Sequence, residues 1–119
     1  KIEFDDVGDG LIILDKNKII PRDGVYAVYI HYNNNFYEGM MNIGPKPTFD
    51  LNDKSIEVNI FNFSQNIYNK KISVEVIKRL RSVKKFKSIN DLKLQIEQDK
   101  ILSLNILNSK KKLNNFSEK

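Results

Sequence analysis

Between Gly39 and Phe63 the chain reads Gly-Met-Met-Asn-Ile-Gly-Pro-Lys-Pro-Thr-Phe, a short polar link, then Ser-Ile-Glu-Val-Asn-Ile-Phe-Asn-Phe. Pro45 and Pro47 fix φ and cannot donate to a ladder, so a strand is expected to end at Gly44 and give way to a rigid rim. The second half alternates: Ile56, Val58 and Ile60 fall on one face, Glu57, Asn59 and Phe61 on the other. Such a segment belongs in an antiparallel sheet, with Glu57 held among β-branched neighbours as a catalytic base has to be held. Periodicity alone is also satisfied by a plain polar residue on the wet face of a half-exposed strand.

The surrounding chain continues the pattern. Pro21-Arg-Asp-Gly24 is a turn signal, with proline presetting φ and glycine free to take positive values. Val25 to Tyr32 is rich in strand formers, Asn33 to Asn35 closes a hairpin, and Phe36 to Ile43 returns, with Gly39 marking a bulge or a close backbone approach. Tyr26, Tyr29 and Tyr32 read as core before they read as base-stacking residues. His31, the single histidine, reads as structural or surface. Ile72 to Leu80 forms a further strand with Ile72, Val74 and Val76 on one face. Arg81 to Lys87 is a basic connector holding Phe86.

Ser88 and Asp91 then have the spacing of an N-terminal cap, and Ile89, Leu92 and Ile96 share one helical face that is expected to dock on the strands. Short strands in hairpin order followed by one helix predict a mainly β domain. Its expected form is a small closed antiparallel, Greek-key-like β-barrel with a C-terminal α-helix. Residues 1–107 are expected to make up barrel and helix, and 108–119 a basic, frayed tail.

The 119 residues suit one domain with a core of its own. Cysteine is absent, which excludes disulfides and thiolate metal sites and agrees with a reducing, cytoplasmic setting. No apolar run approaches the roughly 20 residues of a membrane helix, and the N-terminus carries no signal-peptide pattern, so no membrane association is expected. Twenty Lys and Arg against fifteen Asp and Glu give a net charge of +5, which favours anionic ligands. Part of that excess is Lys110, Lys111 and Lys112. Single-stranded nucleic acid is a lesser alternative, resting on this charge and on the tyrosine-bearing hairpin.

The ordered set Gly24-Val-Tyr-Ala27, Asn42-Ile-Gly-x-x-Pro-Thr-Phe49, Ile56-Glu-Val-x-Ile-Phe-x-Phe63, Ile67-Tyr68, Leu80-Arg81, Lys85-Phe86, and Gln95-Ile96 with Asp99 resembles the riboflavin kinase domain of bacterial bifunctional FAD synthetases. The resemblance covers roughly residues 19 to 104. It implies transfer of the ATP γ-phosphate to the ribityl 5′-hydroxyl of riboflavin, giving FMN, with Mg2+ and ATP as co-substrate. It places Glu57 as the general base, and Arg81 and Phe86 beside the flavin. Gly8, Asn42 and Thr48 would lie at the nucleotide or on the cleft wall, although Thr48 reads first as a turn cap. It also implies an N-terminal FMN adenylyltransferase domain as the partner in the parent chain.

Departures from the family pattern bear on activity. The family's nucleotide loop, Gly-Phe-Pro-Thr-Ala-Asn, finds its candidate register at Gly8-Asp-Gly-Leu-Ile-Ile13, whose leucine and isoleucines offer no oxygen to a hard cation. The residue two past the catalytic glutamate is Asn59 in place of histidine, and the residue two past Arg81 is Val83 in place of an acid. Asn69 replaces the glycine after Ile67-Tyr68. Three readings stay open. The motif lies in the parent protein outside these residues, which is the reading favoured; or the domain is a catalytically impaired flavin-binding module; or Asp5, Asp6 or Asp9 supplies the oxygens. The metal ligands are therefore left unassigned.

Overall fold

A computed structural model describes residues 2–6, 11–13, 20–45, 54–63 and 71–117. Six strands precede one helix: β1 (Ile2–Asp6), β2 (Leu11–Ile13), β3 (Gly24–Tyr32), β4 (Asn35–Pro45), β5 (Lys54–Ile60), β6 (Lys71–Arg81) and α1 (Ile89–Ser117). They form one sheet in the order β2-β1-β6-β3-β4-β5, with every pairing antiparallel. The run β6-β3-β4-β5 is a Greek key: three consecutive strands, then a fourth returning beside the first. The edge strands β2 and β5 also approach each other, curling the sheet toward a barrel. This is the mainly β architecture with a C-terminal helix that the strand pattern predicts.

Local chemistry explains the joints. Asn33 and Asn34 take φ of 51° and 64°, the left-handed values that a two-residue hairpin demands and asparagine tolerates. Gly39 sits where a side chain would collide with the Asn59 carbonyl and with Ile30, so glycine is required by a close approach and no bulge interrupts β4 there. The strand runs one residue further than expected, because Pro45 still stands opposite Lys54 at the last rung. Pro47 and Thr48 lie outside the described residues, as does Gly8.

The two faces of the sheet do different work. Inside, Tyr26, Val28 and Ile30 of β3 meet Met41 and Ile43 of β4, Ile56 of β5, and Ile72 and Val74 of β6. Each such side chain contributes roughly 1.5–3 kcal/mol on burial. The opposite face carries Ala27 and Tyr29, and Leu107 of α1 seals them with Ile77, Leu80 and Ile106 around its edge. The β6 ladder slips twice against β3, between Val25 and Tyr26 and between Ala27 and Val28, leaving Leu80 and Ile77 as the extra residues. Those bulges turn both side chains toward the helix. His31 reaches Glu75 at 3.3 Å, a structural contact on the β3–β6 seam.

The helix departs from expectation in two ways. Ser88 does cap it, with its Oγ accepting the Asp91 N–H at 3.1 Å. Ile89 and the Leu92–Ile96 face do not dock: Ile89 is 71% exposed, and Leu92 and Ile96 stand over an open space. The stripe that seats on the sheet lies further along, at Asp99, Ser103 and Leu107. After the connector that follows Arg81, the first buried residue of α1 is Asp99. The helix also runs through Ser117, past the end at Leu107 inferred from composition. Lysine and asparagine do not break a helix as Gly or Pro do, and Lys110 lies 3.9 Å from Glu75 of β6.

Tyr29 donates its hydroxyl to the Leu107 carbonyl at 3.0 Å in the buried helix seam. Burial first, then the nearby charges of Glu38 and Glu75, raises its pKa above the ordinary 10.0. A raised folded-state value stabilises the fold fully below the unfolded tyrosine's pKa, and that stability is lost as pH rises through the folded one. Unfolding free energy should therefore fall as pH is raised above about 10. Tyr29→Phe should remove that portion of the slope and cost about 1 kcal/mol at neutral pH, as read by urea unfolding across a pH series.

Candidate functional site

Four residues from four adjacent strands lie in one row across the sheet. Arg81 of β6 stands opposite Val25 of β3, Val25 opposite Asn42 of β4, and Asn42 opposite Glu57 of β5. With the pleat keeping alternate residues on one face, the row lies on the outer side of the barrel, the side that α1 covers. The next row on that face brings Ala27, Met40 and Asn59 together. Phe61, in parity with Glu57 and Asn59, is buried with the Lys100 ammonium of α1 5.6 Å from its ring centre. The wet face of β5 is thus the face of the site.

Above this row the displaced first turns of α1 leave a cavity of about 690 Å³. Val25, Met40, Asn42, Glu57, Val58, Asn59, Ile60 and Phe63 form its floor and one wall; Arg81, Val83, Lys84 and Phe86 form the connector wall; Leu92, Ile96 and Asp99 form the helix wall. Glu57 is exposed and opens onto it. Four of the expected site residues, Asn42, Glu57, Arg81 and Phe86, therefore line a single cavity, while Gly8 and Thr48 lie outside the described residues. Leu92 and Ile96, expected to be core, supply instead an apolar lip.

The connector wall is organised by one ion pair. Arg81 Nε lies 2.9 Å from Asp99 Oδ1 and 3.1 Å from Oδ2, and Nη2 lies 2.7 Å from Oδ2. The side chains are 18% and 5% exposed, so this bidentate pair is largely shielded from water. Asp99 Oδ1 also accepts the Gln95 amide at 3.0 Å. Arg81 Nη1 donates to the Ser82 carbonyl at 3.0 Å, and Lys84 donates to Gln95 Oε1 at 3.4 Å. The Phe86 ring centre lies 6.0 Å from the guanidinium carbon. Arg81 is thus a clamp between sheet, connector and helix. Among the described residues, the second N–H on each terminal nitrogen has no partner.

Sequence reasoning missed this partner's role. Asp99 falls on the same helical face as Ile96, Ser103 and Leu107, and an acid on an otherwise buried stripe was the signal that would have found it. Among the described residues no three His, Cys, Asp or Glu side chains come together. Glu57, with the amides of Asn42 and Asn59, offers oxygen donors but no acid-rich cage. That set suits a cation carried by a nucleotide's phosphates rather than one held by protein alone.

A family model described as riboflavin kinase matches residues 11–107. The chain is 47% identical over 90 residues to the bifunctional riboflavin kinase/FMN adenylyltransferase of Bacillus subtilis, covering 73% of this chain and 28% of that protein. It is 41% identical over 101 residues to the trifunctional protein RibF/MnmA of Mycoplasmoides gallisepticum, covering 85% of this chain and 15% of that one. A crystal structure named as a macrolide-efflux protein from Streptococcus pneumoniae superposes with a TM-score of 0.81 at 30% identity, over 87% of this chain and 38% of that one. The chain spans less than a third of these curated relatives, and no described helix is long and apolar enough to cross a membrane.

Removing the Arg81 guanidinium leaves the Asp99 carboxylate buried without its counter-ion. Arg81→Met should lower stability by about 3 kcal/mol, visible as an earlier urea midpoint at unchanged slope.

Proposed function

The chain belongs to the riboflavin kinase family, and from that premise we propose that it transfers the γ-phosphate of MgATP to the 5′-hydroxyl of riboflavin, giving FMN and ADP. The observation that carries this reading is the row from Arg81 to Glu57 on the floor of one open cavity. Three strand spacings separate its ends, roughly 14 Å. A tricyclic ring followed by a five-carbon chain needs a length of that order. The ring system takes the connector end, where Phe86, Val83, Leu92 and Ile96 offer apolar contact and Arg81 offers hydrogen bonds to ring oxygens and nitrogens. The ribityl chain then runs past Asn42 toward Glu57.

At that end the Glu57 carboxylate accepts the proton of the primary hydroxyl as its oxygen bonds to the γ-phosphorus. The bond to the bridging oxygen breaks and ADP departs. A magnesium ion carried by the nucleotide would neutralise phosphate charge, with the oxygens of Glu57, Asn42 and Asn59 as the donors that would hold it. The asparagines at 42 and 59 orient oxygens without adding negative charge that would repel the phosphates. The Bacillus subtilis relative is named a bifunctional riboflavin kinase/FMN adenylyltransferase, and an activity that consumes FMN is the partner we assign to this domain. A reaction that consumes ATP fits the cytoplasm, the setting we assign to it.

Glu57→Gln tests the assignment. It should lower FMN formation, followed by chromatography of flavins, by at least about a hundredfold while riboflavin still quenches on binding and the unfolding midpoint is kept. Full turnover in that variant would remove Glu57 from the chemistry. An unaltered chain that quenches riboflavin but forms no FMN would make the domain a binding module.

A further inference from the structure

Among the described residues Asp99 carries four side-chain hydrogen bonds, as many as any side chain of the cavity, yet none of the chemistry above uses it. Its two oxygens receive Arg81 Nε and Nη2 and the Gln95 amide, within 2.7–3.1 Å. It is 3% exposed, so its charge has little water to compensate it and depends on those donors. Through Arg81 it holds Ser82, and through Gln95 it reaches Lys84, so both ends of the hydrogen-bonded part of the connector trace back to one carboxylate. Phe86, against the guanidinium, completes that wall.

We propose that Asp99 is a positioning residue for flavin: from the buried face of α1 it sets the guanidinium of Arg81 and the connector wall in the geometry that receives the ring system. It touches neither the phosphates nor the reacting hydroxyl, which lie at the Glu57 end of the row. Its effect is therefore confined to the riboflavin side of the cleft. An acid on the connector itself could clamp the arginine from the same segment. Here that segment carries Val83, and the helix supplies the carboxylate instead. The assignment rests on the riboflavin kinase reading.

The test uses the full chain with two substitutions. Asp99→Asn keeps the shape but turns an amide toward donors. Gln95→Leu spares the ion pair and cuts only the bridge to Lys84. Asp99→Asn should raise the riboflavin Kd, read by fluorescence quenching, and the riboflavin KM by about tenfold, the equivalent of roughly 1.4 kcal/mol. The ATP KM and kcat should stay within about threefold. Gln95→Leu should move the same two constants in the same direction by a smaller factor, and it serves alone if Asp99→Asn does not fold. A loss of active protein with the riboflavin constants unmoved, or an equal rise in both KM values, overturns the proposal. A wild-type chain that does not bind riboflavin overturns the kinase reading and this inference with it, whereas wild-type binding matched by both variants overturns this inference alone.

Discussion

The shielded pair between Arg81 and Asp99 ties helix to sheet at the first buried residue of α1, and the cavity lies beside it, under the turns that precede it. A helix laid on strands by an unbroken apolar stripe would have filled the space under Leu92 and Ile96. Here the first seated residue is a carboxylate, and its partner comes from the last position of β6. The long arginine spans from the sheet to a short carboxylate on the helix, so the tie is made by its reach.

The barrel interior contributes rigidity and no chemistry. Its apolar side chains lock β3, β4, β5 and β6 in register, and the outward residues of the same strands inherit that precision. Asn42 and Glu57 stand opposite each other because Ile43 and Ile56, next along, are packed inside. A carboxylate mounted mid-strand moves less than one on a loop, which supports the general-base role proposed for Glu57.

Much of this was legible in the residues. Alternation along Ile56–Ile60 identified the strand and its wet face, and the asparagines after Tyr32 identified the hairpin. The ordered motifs brought Asn42, Glu57, Arg81 and Phe86 into one expected site, and all four line one cavity. The helix was harder to read. Ile89, Leu92 and Ile96 have the spacing of a docking face, but spacing cannot tell a face that is buried from one suspended over a cleft. That depends on where the preceding connector leaves the sheet. Asp99 failed to stand out for a related reason, since a buried acid declares itself only once its arginine is placed. The end of α1 was also set too early, because composition describes solubility better than helix length.

The two slips in β6 carry a consequence of arithmetic. Strict alternation allows a strand to show every other residue to one side, but with Ile77 and Leu80 added the outer side receives Ile77, Lys78, Leu80 and Arg81 in close succession. One stretch of chain thereby furnishes both the grease that seats the helix and the cation that stops it short. Deleting Ile77 or Leu80 would close one slip and leave Arg81 opposite Val25, but the outer side would lose one of the apolar residues that seat the helix. The two surplus residues thus widen the strand's contact with the helix without changing which way its arginine faces.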